Sequence, residues 1–139
     1  MNSNNNFGIN SNTNFKNASA GAQIILFIFW FQTSIKLFHW YTESYANHKA
    51  TDKVLEKIMD LTDSFVEKFI GAFGRPVMRS VSIPVSNMTK TKYIKTLKFA
   101  QEYFSGPATK IVKNNRGLLN IIDEILGEVD QALYFATLK

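Results

Sequence analysis

The chain contains no cysteine, only two histidines and only three prolines in 139 residues. Without thiols there is no disulfide framework, no thiolate nucleophile and no cysteine-ligated zinc, a composition that suits a reducing interior. There is no glycine-rich phosphate loop, no HExxH pair and no GxSxG elbow, which removes P-loop nucleotide hydrolysis, zincin proteolysis and serine-hydrolase chemistry. Any chemistry that needs an imidazole must use His39 or His48. Long apolar runs are also scarce. The longest, IILFIFWF at 24–31, spans about 12 Å as a helix, short of the roughly 20 residues that cross a bilayer, so no membrane partner is expected.

What remains suits one domain, since 45% apolar composition over 139 residues is enough for a single core. Residues 1–18 are Asn-rich and nearly uncharged, and read as a flexible tail preceding a domain at 19–139. The tail lacks the basic and apolar regions of a signal peptide, so secretion is not expected. Its one basic residue is Lys16, too little for a DNA-binding arm. Its Phe7, Ile9 and Phe15 could anchor it on a subunit surface, with simple disorder as the alternative.

Four helices are expected. The first covers about 18–45, with Ser19 as a candidate cap; its 24–31 run is apolar on every side and predicts burial all round, hence a subunit interface and a homo-oligomer. The second covers about 47–72, opening on an Asn47 cap and ending at Gly71, Gly74 and Pro76. Residues 74–88, with two prolines and no helical period, form a crossover. The third helix covers 89–104, capped by Asn87 or Ser86 and stopped by Gly106 and Pro107, with Tyr93, Ile94, Leu97, Ala100, Gln101 and Phe104 at helical spacing. The fourth covers about 117–138. Helix count and crossover position together predict an all-α four-helix bundle with its one long connection between helices two and three.

Residues 36–75 hold both histidines and six of the eleven acids. At about 100° per residue, Val54, Leu55, Ile58, Leu61, Phe65 and Phe69 share one arc of the second helix, the core face. His48, Asp52, Glu56, Asp63 and Glu67 occupy another, interleaved with Met59, Val66 and Ile70, so the acids border a second apolar patch. One reading is a solvated flank, with Lys49, Lys53 and Lys57 each three residues before an acid. The other is a cation site, because Asp52 and Glu56 repel at i,i+4 unless a cation sits between them. His48 and Asp63 lie about 22 Å apart along the helix, too far to share one ion. His48/Asp52 and Asp63/Glu67 are therefore two half-sites, which antiparallel copies about a two-fold near Lys57 and Ile58 would unite.

The run LFHW at 37–40, followed by His48, Asp52, Asp63 and Glu67, resembles the ferroxidase signature of the Dps family of mini-ferritins. The spacing along the second helix fits without a gap. The segment between the histidines is about one helical turn shorter, and Glu43 and Ser44 stand where a glycine usually follows the HW pair. The compact form is most similar to small ferritin-like proteins of phages and large DNA viruses. The resemblance implies a ferritin-like bundle, Fe(II) oxidation and ferric storage at inter-subunit sites, with His39, His48, Asp52, Asp63 and Glu67 as ligands. It also implies two-fold dimers in a dodecameric cage, protection of DNA, and a cytoplasmic or virion-associated location. The donor set equally suits zinc or manganese.

Between 75 and 116 nine basic residues face the single acid Glu102. Lys90, Lys92, Lys95 and Lys98 make this either a solvated lysine face or a non-specific contact for nucleic-acid phosphates. Asp123, Glu124, Glu128 and Asp130 on the last helix have no histidine beside them and read as solvent-facing. The rival to a ferroxidase is a non-catalytic structural or nucleic-acid-associated homo-oligomer on the same fold, for instance in a virion.

Overall fold

The computed structural model describes residues 19–138; the expected tail at 1–18 lies outside them. Four long helices carry the fold: α1 Ala20–Tyr41, α2 Tyr45–Phe73, α3 Lys90–Ser105 and α5 Arg116–Phe135. A single short piece, α4 Pro107–Val112, follows α3, and no strand occurs among the described residues. The protein is an all-α four-helix bundle. Pro107, expected as a stop for the third helix, instead stands at the first helical position of α4, where its missing N–H costs nothing, and the chain takes a turn and a half of helix there.

Each long helix packs against two others, α1 and α5 both lying against α2 and α3. Tyr41 at the end of α1, Ser44 just before α2, Thr89 just before α3 and Leu138 just past α5 line one pocket at one end of the bundle. Hence α1 and α5 run toward that end and α2 and α3 away from it, an up-down-down-up order. Residues 74–89 are non-helical and return the chain along the bundle so that α3 can start at the same end as α2.

Local chemistry explains the helix ends and corrects three expected ones. Helix α1 stops at Tyr41, short of 45, because Thr42 is extended and its N–H closes on Phe38 O. Helix α2 is capped by Ser44 in place of Asn47, its hydroxyl accepting from Asn47 N at 3.2 Å. Helix α3 is capped by Thr89, not Asn87 or Ser86, through Lys92 N at 3.1 Å. At both of these caps the nearer hydroxyl satisfies a first-turn amide that the helix leaves open. At the far end of α2, Gly74 takes φ 91°, a conformation a Cβ would strain.

The core is aromatic between α1 and α3. Phe27 stacks on Tyr103 at 3.8 Å and Phe38 on Tyr93 at 4.1 Å. Burial pushes both phenols well above their ordinary range, because ionisation would strand a charge in apolar surroundings. On α2, Val54, Leu55, Ile58, Phe65 and Phe69 are buried and Leu61 half-buried, the arc the helical period predicts. A cap near Gly21 is equally tight, since a Cβ there would meet Phe69 at 2.6 Å and Pro76 at 2.8 Å.

The 24–31 run departs from its expected environment. Ile24, Leu26, Phe27, Ile28 and Phe31 are buried within the chain, Ile25 and Trp30 partly so, and only Phe29, at 49%, is exposed. The bundle thus covers all but one side of the run, where a subunit interface was expected to bury it, because α2 and α3 flank α1 from two directions. Taken whole, the 22 residues of α1 are long and apolar enough to span a bilayer by length and composition, although 61% of the most apolar stretch is buried inside the bundle. A core helix meets the same measure.

Candidate metal centre

The turn of residues 42–44 brings the end of α1 against the start of α2. Thr42 Oγ1 accepts from Ser44 N at 3.2 Å, which braces the turn. This three-residue turn places His39 beside His48, their rings stacked at 3.8 Å and 19°.

The two histidines hold each other by reciprocal bonds. His39 Nδ1 lies 2.8 Å from His48 O, and His48 Nδ1 lies 2.9 Å from His39 O. A carbonyl oxygen only accepts, so each Nδ1 carries the hydrogen and donates it. The tautomer follows: both Nε2 atoms are left for a proton or a metal, the arrangement that second-sphere acceptors impose on ligating imidazoles. His39 Nδ1 also donates to Thr51 Oγ1 at 3.0 Å, while Thr51 donates onward to Asn47 O at 2.8 Å.

His39, only 6% exposed, turns its Nε2 to within 3.4 Å of Asp52 Oδ1, and the Asp52 side chain is 57% exposed. With His39 neutral these two atoms face each other with lone pairs. A cation between them converts that repulsion into attraction. One wall of the corner is aromatic: Tyr45 lies 6.5 Å from the His48 ring, and the Lys36 ammonium lies 5.4 Å over Trp40.

Asp63 and Glu67 are not part of this cluster. They are exposed further down α2, and Asp52 to Asp63 is 11 residues, about 16 Å along the helix. Among the described residues no group of three or more His, Asp or Glu side chains converges as a ligand set. Asp63 instead lines an open trough of about 410 Å³ between α1 and α2, with Phe29, Met59 and Val66 as its apolar walls. The second apolar patch bordered by acids is therefore real, and Phe29 and Ile25 of α1 extend it.

Nor do the lysines of α2 neutralise the acids. Among the described residues Lys57–Glu128, at 3.9 Å, is an ion pair, and His39–Asp52 becomes one only when the imidazole is protonated; the pairs of Lys49, Lys53 and Lys57 with Asp52, Glu56 and Asp60 do not form. Lys49 lies over the Tyr45 ring at 5.8 Å instead. Asp130 accepts from Gln101 at 2.6 Å, and Asp123 and Glu124 are exposed. On α3, Lys90, Lys92, Lys95 and Lys98 are all exposed. Lys92, Lys95 and Lys98 follow one face at three-residue spacing, with Lys92 Nζ on Ser86 Oγ, while Lys90 points to the bundle end.

Sequence reasoning missed two residues. Thr51 and Thr62 are buried polar side chains on the core side of α2, and a hydroxyl there requires a partner. Both donate to the carbonyl four residues earlier, and Thr62 accepts from Gln32 Nε2 at 2.8 Å as Thr51 does from His39. A threonine interrupting an apolar arc was the available signal.

An all-α bundle with a histidine-bearing corner and an acid-lined flank is the class these elements define. The chain belongs to the family of unknown function DUF5856, whose profile matches residues 39–135, a span that starts at His39 and includes every proposed ligand. It is 31% identical over 102 residues, 73% of this chain and 75% of the relative, to the "Uncharacterized 14.6 kDa protein in mobD-ri intergenic region" of Enterobacteria phage T4. No solved structure matches.

Proposed function

We propose that this protein is a Dps-like mini-ferritin, a ferritin-like bundle that binds Fe(II) as substrate between two copies of the chain, oxidises it and stores the ferric product inside a homo-oligomer. The observation that carries this reading is the reciprocal histidine pair. Two imidazoles locked by backbone carbonyls, with Nε2 free and Asp52 3.4 Å away, are half of a mixed nitrogen and oxygen site of the kind that suits Fe(II). The up-down-down-up order with its connection between α2 and α3 supports the ferritin-like assignment.

The other half comes from a second copy. A two-fold midway between Lys57 and Ile58 maps His48 onto Glu67 and Asp52 onto Asp63 in one operation, and it maps Glu56 onto Met59. The carboxylates of one chain then face the histidines of the other across the Met59 and Val66 patch, and each dimer contains two equivalent sites. Every Fe(II) bound there gives one electron to peroxide or dioxygen. The carboxylates offset the charge of the ion and of its oxidised form, and consumption of iron with peroxide spares nearby DNA. The exposed Lys92, Lys95 and Lys98 face supplies a non-specific contact to its phosphates.

Anaerobic Fe(II) titration followed by peroxide, read as ferric absorbance, tests the reading. The Asp63→Asn/Glu67→Gln double variant is expected to lose oxidation by more than about 100-fold, since deleting ligands exceeds the usual 10–100-fold cost of deleting their supports. Mixing it with a His39→Ala/His48→Ala variant restores part of the activity, because some mixed dimers rebuild one intact site. Wild-type rates in both variants would replace the ferroxidase with a structural homo-oligomer.

A further inference from the structure

At the end of the bundle where α1 stops lies an open pocket of about 430 Å³, and two helices of 29 and 16 residues, α2 and α3, begin in its wall. Ser44 and Thr89, their caps, both line it. Each cap hydroxyl is committed to the third amide of its helix, Asn47 N or Lys92 N. The first two amides of each helix, at Tyr45, Ala46, Lys90 and Thr91, have no intrahelical acceptor. Each N-terminus contributes about half a positive charge, and the Lys90 side chain in the same wall adds a full one.

A second observation is independent of the helix ends. Asn47 is 8% exposed and lines the pocket. Its main chain is bonded to Ser44 and Thr51, but among the described residues its carboxamide has no hydrogen-bond partner. The rest of the residue is packed away, and its carboxamide atoms are open to solvent in the lining of this pocket, where the amide has two N–H donors to offer a ligand. Phe38 and Met88 give the pocket an apolar floor. Among the described residues Glu43 is the one carboxylate in the wall and is exposed, so solvent weakens its field there.

We propose that this pocket binds a small organic oxyanion, a phosphate monoester or a carboxylate, with the oxyanion on the α2 and α3 N-termini, Lys90 and the Asn47 carboxamide, and its apolar body on Phe38 and Met88. The proposal does not rest on the metal centre.

Calorimetric titration of the full-length, metal-free protein with phenyl phosphate, benzoate and benzyl alcohol tests it. Phenyl phosphate or benzoate is expected to bind and neutral benzyl alcohol not to, the tighter of the two anions naming the ligand source. Lys90→Gln and Asn47→Asp should each weaken binding by about tenfold, the loss of one charge-assisted bond. Glu43→Gln should tighten it. Aspartate at the third position of a helix is favourable, so Asn47→Asp is expected to keep its fold, and the exposed Glu43 gives a reading if it does not. Failure of both anions to bind at millimolar concentration, binding of benzyl alcohol as tight as theirs, or affinities unmoved by Lys90→Gln and Glu43→Gln would overturn the proposal. Because no iron is present, none of these outcomes depends on ferroxidase activity.

Discussion

Two rungs join α1 to α2, and they are built the same way with different tips. In one, His39 donates to Thr51; in the other, Gln32 donates to Thr62. Both threonines sit 11 positions apart on the buried side of α2 and return their own hydrogens to the helix backbone. The shared device is structural, since it satisfies a buried hydroxyl and fixes the lateral position of two helices. The difference lies in what the α1 side chain has left over. A carboxamide spent on Thr62 offers no metal ligand of consequence, whereas an imidazole whose Nδ1 is spent on Thr51 and on His48 O presents Nε2 to Asp52. One rung ties up its α1 side chain, and the other leaves a ring nitrogen facing a carboxylate. The acids beside the Gln32 rung border an apolar trough and, among the described residues, form no ion pair; the proposed second copy would supply their partner.

The contrast breaks most visibly at the trough. Met59→Asp places a carboxylate opposite Glu56 of a two-fold mate while removing apolar contact. The expected result is dissociation of the oligomer toward a species of about 16 kDa, a weakening of more than about 100-fold or 2.7 kcal/mol, with helicity retained because Met59 lies outside the core. Sedimentation velocity and circular dichroism read the two parts separately. An unchanged sedimentation coefficient would remove the pairing from this face.

The histidine rung is sharpened by Thr51→Val, which keeps shape and removes the acceptor behind His39. Fe(II) oxidation is expected to fall about tenfold, whereas Thr62→Val, the same change on the other rung, should leave the rate within about twofold at a similar stability cost. Equal losses in both variants would make the threonines merely structural.

The smallest effect separates the rungs from the aromatic core beneath them. Tyr93 and Tyr103 have phenols raised by burial, so below pH 10 both states are neutral and this contribution to stability is complete. Above pH 10 the unfolded chain ionises and the folded one does not, and stability falls as pH rises. At pH 10.5 the loss is roughly 0.8 kcal/mol per phenol. Tyr93→Phe should remove half of that slope in denaturant titrations across pH 9–10.5 without altering the histidine corner. A slope unchanged by the substitution would place the alkaline sensitivity elsewhere.

Much of the bundle follows from the chain alone. The spacing of Val54, Ile58, Phe65 and Phe69 is the spacing of one helix face, and residues 74–89 lack both a helical period and the residues to sustain one, so helix count, core arc and connection are properties of local sequence. Helix ends were less legible, because Ser44 and Asn47, or Ser86 and Thr89, are all competent caps and only the three-dimensional path of the chain selects between them. Residue type and spacing named the His48/Asp52 and Asp63/Glu67 half-sites as candidates, and the family resemblance added His39. Their grouping was not legible: that His39 and His48 would bond reciprocally through each other's carbonyls, leaving Nε2 beside Asp52, depends on the width of a three-residue turn. Only tertiary structure decided that α1 has one exposed side, at Phe29, since coverage of an apolar helix is set by its neighbours and not by its own composition. The same holds for the pocket at the bundle end, where residues far apart in the chain, Asn47 and Lys90, meet because α2 and α3 start side by side.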